Sequence, residues 1–239
     1  MAETLEIRNL DVSAGETQIL SGIDLTIGPG ELHVLFGPNG SGKSSLLAAI
    51  MGLPPFRVTG GEILFRGQRI DMLAVDARAR LGIGMAFQRP PALDGVTVSG
   101  LSEALGAGDR LAAEAAALDL ERFTGRGINQ GFSGGEIKRW EILKLFLQRP
   151  DLLLFDEPES GVDLEHIAAV GSAIDRLMQG PKGRRSGLVI THTGFILDHL
   201  TADVGHIMSG GRIVHSGDPR ELFQHIRNHG YRAPAAQVA

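Results

Sequence analysis

The sequence of 239 residues contains no cysteine. This absence excludes disulfides, a catalytic thiol and thiolate ligands, so the chain cannot hold an iron–sulfur cluster through cysteine. A protein without disulfides suits a reducing compartment, and we expect this one to be cytoplasmic.

Long apolar runs are also missing. The longest stretch free of Asp, Glu, Lys and Arg is residues 44–56, which has 13 residues and contains Pro54 and Pro55. A membrane-spanning helix needs about 20 apolar residues. Residues 1–10 likewise have no apolar core of signal-peptide length. We therefore expect no direct insertion into a membrane.

Positive charge is in deficit. The formal net charge is −5, and Lys and Arg form no extended basic stripe. A surface that binds nucleic acid needs such a stripe to neutralise phosphates. We therefore expect no nucleic-acid partner.

Glycine, in contrast, is abundant, with 33 residues against 11 prolines. The glycines fall in short turn motifs, which predicts many joints between strands and helices. Near the N-terminus, Ile23, Leu25 and Ile27 alternate with Gly22, Asp24 and Thr26, and this alternation predicts β-structure.

Continuous apolar runs have a different meaning. They are typical of strands buried on both faces of a parallel sheet, and they occupy residues 32–36, 152–155 and 188–190. Residues 62–65 and 83–87 predict two further short strands. Residues 90–147 show no strand pattern and contain Ala-rich segments, such as residues 111–120, that predict helices, so we predict a helical lobe there. The pattern as a whole indicates an α/β fold with a mixed sheet.

A glycine-rich loop follows the first of these runs. It fits the pattern G-x-x-x-x-G-K-[ST] and consists of Gly37, Pro38, Asn39, Gly40, Ser41, Gly42, Lys43 and Ser44. Its backbone N–H groups can surround a phosphate, and the helix predicted over Lys43 to Met51 points its positive end at the same place. We expect Lys43 to reach the β- and γ-phosphates of ATP and Ser44 to ligate Mg²⁺, with Ser45 also in the site. A glycine-rich turn without a ligand is the alternative, and the flanking strand and helix disfavour it.

Two carboxylates, Asp156 and Glu157, come directly after the run 152–155. The carboxyl ends of parallel strands are where such folds gather ligands. We expect Asp156 to hold Mg²⁺ or its water, and Glu157 to polarise the water that attacks the γ-phosphate. An acidic pair alone is more often a surface turn, but the upstream loop favours a catalytic interpretation.

A capped helix start lies 23 positions before Asp156. Ser133 is a good N-cap, and Glu136 completes a capping box. A well-capped helix is one interpretation of this segment. The residues Ser-Gly-Gly-Glu at 133–136, however, resemble the signature motif of ABC ATPases, and the resemblance covers about residues 3–232.

The resemblance implies a P-loop NTPase core of the RecA-like type, an N-terminal antiparallel β-subdomain and an inserted α-helical subdomain. It makes the chain a single ABC ATPase domain, which would divide into a nucleotide-binding core (1–88 and 148–232), a helical subdomain (89–147) and a loose tail (233–239).

The resemblance also implies that the chain works as a pair. In this family the signature loop serves the nucleotide of a second subunit, so the residues that would meet a partner's γ-phosphate are Ser133, Gly134, Gly135 and Glu136. Asp163 resembles the aspartate at the seam of the pair. A head-to-tail homodimer would therefore form when ATP binds.

Two further residues resemble family landmarks. Gln88 resembles the glutamine that touches Mg²⁺ and the attacking water. His192 resembles the switch histidine that contacts the γ-phosphate. With Glu157, they complete the catalytic set that the resemblance implies.

The finer pattern resembles one branch, the SufC-type ATPases of iron–sulfur cluster assembly. The resembling segments are residues 58–62, 84–88 with Pro90, 131–136 with Lys138 and Arg139, 141–143, 159–163, 210–214, 216–218 and 230–231. The implied partner is a β-helical scaffold of the SufB/SufD kind, which ATP-driven dimerisation would reshape. The scaffold would supply the ligands that this cysteine-free chain lacks.

The aromatic residue that transporter-type members usually stack on adenine is absent. Its place is near Val12 and Ser13, and neither residue is aromatic, as in the SufC-type branch. We infer weak or unselective recognition of adenine.

Other features depart from the branch. Pro158 follows Glu157, as in transporters, where SufC-type proteins often have Ser. The 45 positions from Gln88 to Ser133 make a short lobe, which suggests a reduced scaffold. The nucleotide-binding subunit of a membrane transporter is the alternative function. A DNA-associated ABC protein is disfavoured by the acidic charge and by the lack of a coiled-coil insertion.

Overall fold

The computed structural model describes residues 2–180 and 183–231, and for residues 164–166 the backbone alone. Its strands are β1 (Leu5–Ala14), β2 (Thr17–Ile27), β3 (Leu32–Phe36), β4 (Phe56–Phe65), β5 (Gln68–Arg69), β6 (Ile83–Ala86), β7 (Leu152–Asp156), β8 (Gln179–Gly180), β9 (Gly183–Arg184), β10 (Ser186–Ile190), β11 (Val204–Ser209) and β12 (Arg212–Gly217). Its helices are α1 (Lys43–Met51), α2 (Val75–Leu81), α3 (Val98–Ala104), α4 (Gly108–Ala116), α5 (Gly134–Gln148), α6 (Leu164–Met178) and α7 (Pro219–His229).

The central sheet has six strands in the order β12-β11-β3-β10-β7-β6. All neighbouring pairs are parallel except β11 and β12, which form an antiparallel hairpin. Every residue of β3, β6, β7 and β10 is buried, because helices or the second sheet cover both faces.

An antiparallel sheet in the order β2-β1-β4-β5 covers one face of the central sheet. Alternation along each central strand divides the apolar residues between two clusters. Leu152 and Leu154 of β7 pack with α1 and the antiparallel sheet, whereas Leu153 and Phe155 pack with α5 and α6. The period of two in a strand explains this division.

The segment between β6 and β7 is helical. It holds α3, α4, a 3₁₀ turn at Glu121–Phe123 and α5, and its strand-like pairing among described residues is one isolated bridge between Thr97 and Gly127. The described part of the chain is thus an α/β domain with an antiparallel N-terminal sheet and an inserted helical segment, as the sequence predicts.

Several predicted elements have the observed bounds, among them β3 at Leu32–Phe36 and α1 at Lys43–Met51. Others differ. β4 begins at Phe56 instead of Glu62, because β1 pairs with it as far as Ala14. α4 ends at Ala116, before the predicted limit of Leu120. The predicted loose tail, residues 233–239, lies outside the described residues.

Helices long and apolar enough to cross a bilayer are not found in residues 2–180 and 183–231.

Arg78 of α2 joins two parts of the fold through its buried guanidinium. It donates hydrogen bonds to the backbone carbonyls of Ala49 and Ile50 at the end of α1, at 2.7 and 2.9 Å. It also donates to the carbonyls of Asp71 and Leu73, at 2.8 and 2.9 Å. The last carbonyls of a helix have no partner within the helix, so Arg78 supplies donors to buried groups that need them. The Ala49 carbonyl has a second donor, the N–H of Gly52 at 3.2 Å.

Arg78→Ala should lower the free energy of unfolding by about 3 kcal/mol, since four carbonyls lose the hydrogen bond from Arg78 at once. Urea unfolding followed by circular dichroism measures the change. Arg80→Ala is the matched control on the same helix, because the Arg80 side chain is 75% exposed and pairs with the exposed surface carboxylate of Asp76. Its loss should stay within about 0.5 kcal/mol, and equal losses in the two variants would contradict the account.

Candidate functional site

The phosphate-loop motif connects β3 to α1, as the sequence predicts, and its backbone requires glycine. Gly40 and Gly42 have φ angles of 77° and 105°, which L side chains rarely adopt. A Cβ on Gly37 would lie 2.4 Å from the carbonyl oxygen of Met208 and 2.7 Å from Ser41 Oγ. The loop therefore presents backbone N–H groups in a geometry suited to a phosphate.

Lys43 is buried against this loop. Its Nζ donates to the carbonyls of Gly37 and Pro38, at 2.8 and 3.0 Å. Burial lowers the pKa of Lys43, and the nearby carboxylates of Glu157 and Asp156 act in the opposite direction. A phosphate in the loop would give this ammonium group a stronger acceptor than the two carbonyls.

Ser44 and Asp156 are held together. Ser44 Oγ donates to Asp156 Oδ1 at 2.9 Å, and Asp156 is the last residue of β7. Burial raises the pKa of Asp156, with the Ser44 hydrogen bond opposing it. Two oxygen ligands at this spacing fit Mg²⁺, which is usually held by one or two protein carboxylates together with phosphates and water. The described residues contain no group of three or more His, Cys, Asp or Glu that could hold a metal ion.

Glu157, Gln88 and His192 meet at one carboxylate oxygen. Gln88 Nε2 donates to Glu157 Oε2 at 2.5 Å, and His192 Nδ1 lies 3.4 Å from the same atom. The three residues follow β6, β7 and β10, which are neighbours in the sheet. Glu157 has a φ of 47°, an uncommon conformation for a residue with a side chain, and such conformations concentrate at functional sites.

Most of these residues line a single cleft of about 730 Å³, but Gly37, Pro38 and Asp156 do not line it. Its lining is Ile19, Asn39, Gly40, Ser41, Gly42, Lys43, Ser44, Ser45, Gln88, Arg89, Glu157, Ser160 and His192. None of them is Phe, Tyr or Trp, and Val12 is fully buried in the core and does not line the cleft. The structure thus brings the phosphate loop and the acidic strand tip together, with an aliphatic side chain, Ile19, at the wall.

The signature motif lies elsewhere. Ser133 caps α5 through the predicted capping box: Ser133 N donates to Glu136 Oε2 at 2.8 Å, and Glu136 N donates to Ser133 Oγ at 3.4 Å. Ser133, Gly134 and Gly135 line a second groove of about 560 Å³ together with Asp163. Glu136 does not line it, because its carboxylate is engaged by Ser133 and Arg122.

Sequence reasoning assigned no role to two buried residues of α5. Lys138 Nζ donates to the carbonyl oxygens of Gln88 and Glu157, at 2.8 and 3.0 Å. Glu141 Oε2 accepts from the backbone N–H of Phe87 at 2.7 Å. Charged residues spaced i and i+3 in a helix lie on one face, and on a buried helix this spacing could have indicated contacts to the site.

The chain resembles known proteins in its family, its sequence and its fold. Residues 20–160 match the family model described as ABC transporter. The "Probable ATP-dependent transporter ycf16" of Pyropia yezoensis is 40% identical, over 97% of this chain and 98% of that protein. "Vegetative protein 296" of Bacillus subtilis is 39% identical, over 96% of this chain and 92% of that protein.

Solved structures share the fold. A nucleotide-free ATP-binding cassette from an ABC transporter superposes with a TM-score of 0.78 at 23% identity, and covers 95% of both chains. An ATP-bound bacterial Atm1-family exporter has a TM-score of 0.76, covering 96% of this chain and 41% of that one. The family match and the 40% identity to a relative over nearly the full length of both chains identify the family. The chain belongs to the ABC transporter family, as an ATP-binding cassette.

Proposed function

We propose that the chain hydrolyses MgATP as a head-to-tail pair. One observation carries the proposal: the cleft that holds Lys43 and the groove that holds Ser133 have no lining residue in common. A single chain therefore offers two separate halves of a site. Two copies related by a twofold axis would bring each half against the other's complement.

In this proposal the phosphate loop and Lys43 bind the triphosphate, as the residues of a P-loop do in general. Ser44, Asp156 and Gln88 hold Mg²⁺, which when bound neutralises the charge that develops on the phosphate oxygens. The partner's Ser133 hydroxyl and the N–H groups at the start of its α5 contact the γ-phosphate from the other side.

Glu157 acts as the base toward the attacking water. Gln88 and His192, which converge on its Oε2, orient that water and the γ-phosphate. Lys138 holds the backbone of Glu157 and of Gln88, so that the base and its neighbour keep a fixed relation.

For the partner, we favour a cytoplasmic scaffold of the SufB/SufD kind, which the paired ATPase would reshape during iron–sulfur cluster assembly. The SufC-type segments of the sequence support it, as does a cleft whose described lining has no Phe, Tyr or Trp to stack on adenine. The absence of cysteine agrees with a division of labour in which the scaffold carries the cluster ligands.

The second candidate is the nucleotide-binding subunit of a membrane transporter. The names of relatives favour it, such as the "Probable ABC transporter ATP-binding protein" of Streptococcus pyogenes serotype M3, which is 40% identical. Pro158 is also more typical of transporters. Both candidates share the same ATP chemistry, so only the partner separates them.

Glu157→Gln should lower the turnover of ATP by about 100-fold or more while ATP binding persists, because an amide cannot accept the proton of water. The bound variant should accumulate as a dimer, observed by light scattering with MgATP. Glu103→Gln, an exposed change on α3, is the control and should behave as the parent chain. Normal turnover in Glu157→Gln would remove Glu157 from its role as base.

Ser133→Asp and Ser133→Asn form a matched pair that tests the head-to-tail site. Both residues are good N-caps, so α5 should begin normally in each. The added charge of Asp would lie against the partner's γ-phosphate, so only Ser133→Asp should lose ATP-dependent dimerisation, by at least about tenfold in dimer affinity. ATP binding to the monomer, measured by a fluorescent analogue, should be unchanged in both. Unimpaired dimerisation of Ser133→Asp would contradict the proposed arrangement.

The partner can be identified by affinity purification of the tagged chain from its own cell, followed by mass spectrometry. We expect a protein of predicted β-helical fold that contains cysteine, retained at a fixed ratio through gel filtration. Recovery of a multi-span membrane permease without such a scaffold would decide for the second candidate.

A further inference from the structure

Glu159 is a buried carboxyl that the roles above leave unused. It lies in the turn after β7, and the residue is only 3% exposed. Its Oε1 accepts hydrogen bonds from the hydroxyls of Thr191 and Thr193, the latter at 3.0 Å. These threonines are the two neighbours of His192 in the chain.

The threonine contacts fix the loop on both sides of His192. Thr191 is fully buried, and its Oγ1 also accepts from the backbone N–H of Gly194 at 2.9 Å. The His192 side chain, in contrast, is 38% exposed. A half-exposed ring on a loop can take several rotamers, so its direction depends on how firmly the backbone beside it is held.

Burying the Glu159 carboxyl at this position lowers the stability of the fold. Burial raises the pKa of Glu159, and the hydroxyl of Thr191 is the largest influence in the opposite direction. Glu159 Oε2 is buried without a hydrogen-bond partner among the described residues. A buried polar atom in this state destabilises a fold. The turn does not need a carboxyl at this position. The hydrogen bonds that Glu159 accepts from the loop that carries His192 give a reason for it.

We propose that Glu159 is a positioning residue, which directs the His192 ring at the nucleotide cleft by holding Thr191 and Thr193. The inference rests on the proposed function, because the role of His192 belongs to it. Glu159 itself does not line the cleft, so its effect on catalysis passes through His192.

The test is a double-mutant cycle of Glu159→Ala with His192→Ala, followed by ATP hydrolysis. Glu159→Ala alone should lower kcat by about tenfold, the lower end of the range for residues that orient an active group. The KM for ATP and the affinity for a non-hydrolysable ATP analogue should change by less than about twofold. In the His192→Ala background, Glu159→Ala should cause no further loss, because the residue that it positions is gone.

Glu159→Gln is the conservative variant, because its amide oxygen still accepts from both threonines. It should keep at least about half of the parent kcat. Thr193→Val removes one donor at the half-buried end of the loop and should lower kcat in the parent but not in His192→Ala. Thermal unfolding of each variant separates a folding defect from a positioning defect.

Imidazole NMR of His192 supplies a readout apart from turnover. Its ring signals should shift in Glu159→Ala and in Thr193→Val, and stay close to the parent in Glu159→Gln. An equal loss of kcat in both backgrounds, or unshifted His192 signals in Glu159→Ala, would overturn the inference. If the parent chain does not hydrolyse ATP, or if His192→Ala hydrolyses ATP at the parent rate, the proposed function fails instead. The NMR result still decides whether Glu159 positions the His192 ring.

Discussion

The parallel pairing of β3, β10, β7 and β6 is the constraint on which the rest of the site depends. Ile190 pairs with Leu35 on one side and with Asp156 on the other, and Ala86 pairs with Phe155. Because these strands end at the same edge, the residues that follow them must meet there. Asp156 is the last residue of β7, the phosphate loop begins directly after β3, and Glu157, Gln88 and His192 each lie within two residues of a strand end. The fold therefore needs no long loop to assemble them.

Helix α5 connects this edge to the inserted helical segment. Its first turn presents the signature residues, while Lys138 and Glu141 in its next turns hold the backbone of Phe87, Gln88 and Glu157. A rigid helix transmits displacement along its length. A movement of the inserted segment would therefore shift the backbone that α5 holds at the cleft. The helix thus supplies a physical link between the inserted segment and the residues Gln88 and Glu157 at the cleft.

Much of the fold follows from local sequence patterns. The bounds of β3 and α1 could be predicted because a five-residue apolar run and a glycine-rich turn leave little alternative. The full length of β4 could not, since its first half pairs with β1 through contacts about 45 residues distant in sequence, from Phe56 with Ala14 to Gly60 with Asp11, and the register breaks between Arg8 and Val12. Propensity carries no information about such pairing.

The site is only partly visible in the sequence. Residues in a contiguous motif, such as Gly37–Ser44, are identified together, whereas the contacts of Lys138 and Glu159 arise from tertiary packing. A charged residue within a helix or turn is usually solvated. The spacing of Lys138 and Glu141 indicates only a shared helix face, and no local pattern indicates that Glu159 is buried. Their burial becomes evident only when the strands that they contact are placed side by side.

The capping box at α5 leaves Ser133 able to hydrogen-bond to an anion. Its Oγ accepts the N–H of Glu136, and a hydroxyl that accepts through a lone pair still has its own hydrogen to give. Helix stabilisation and ligand recognition therefore draw on different sides of one oxygen atom. Ser133 can therefore donate a hydrogen bond to an oxyanion and remain the N-cap of α5. The binding of a second molecule at this point would leave the helix intact.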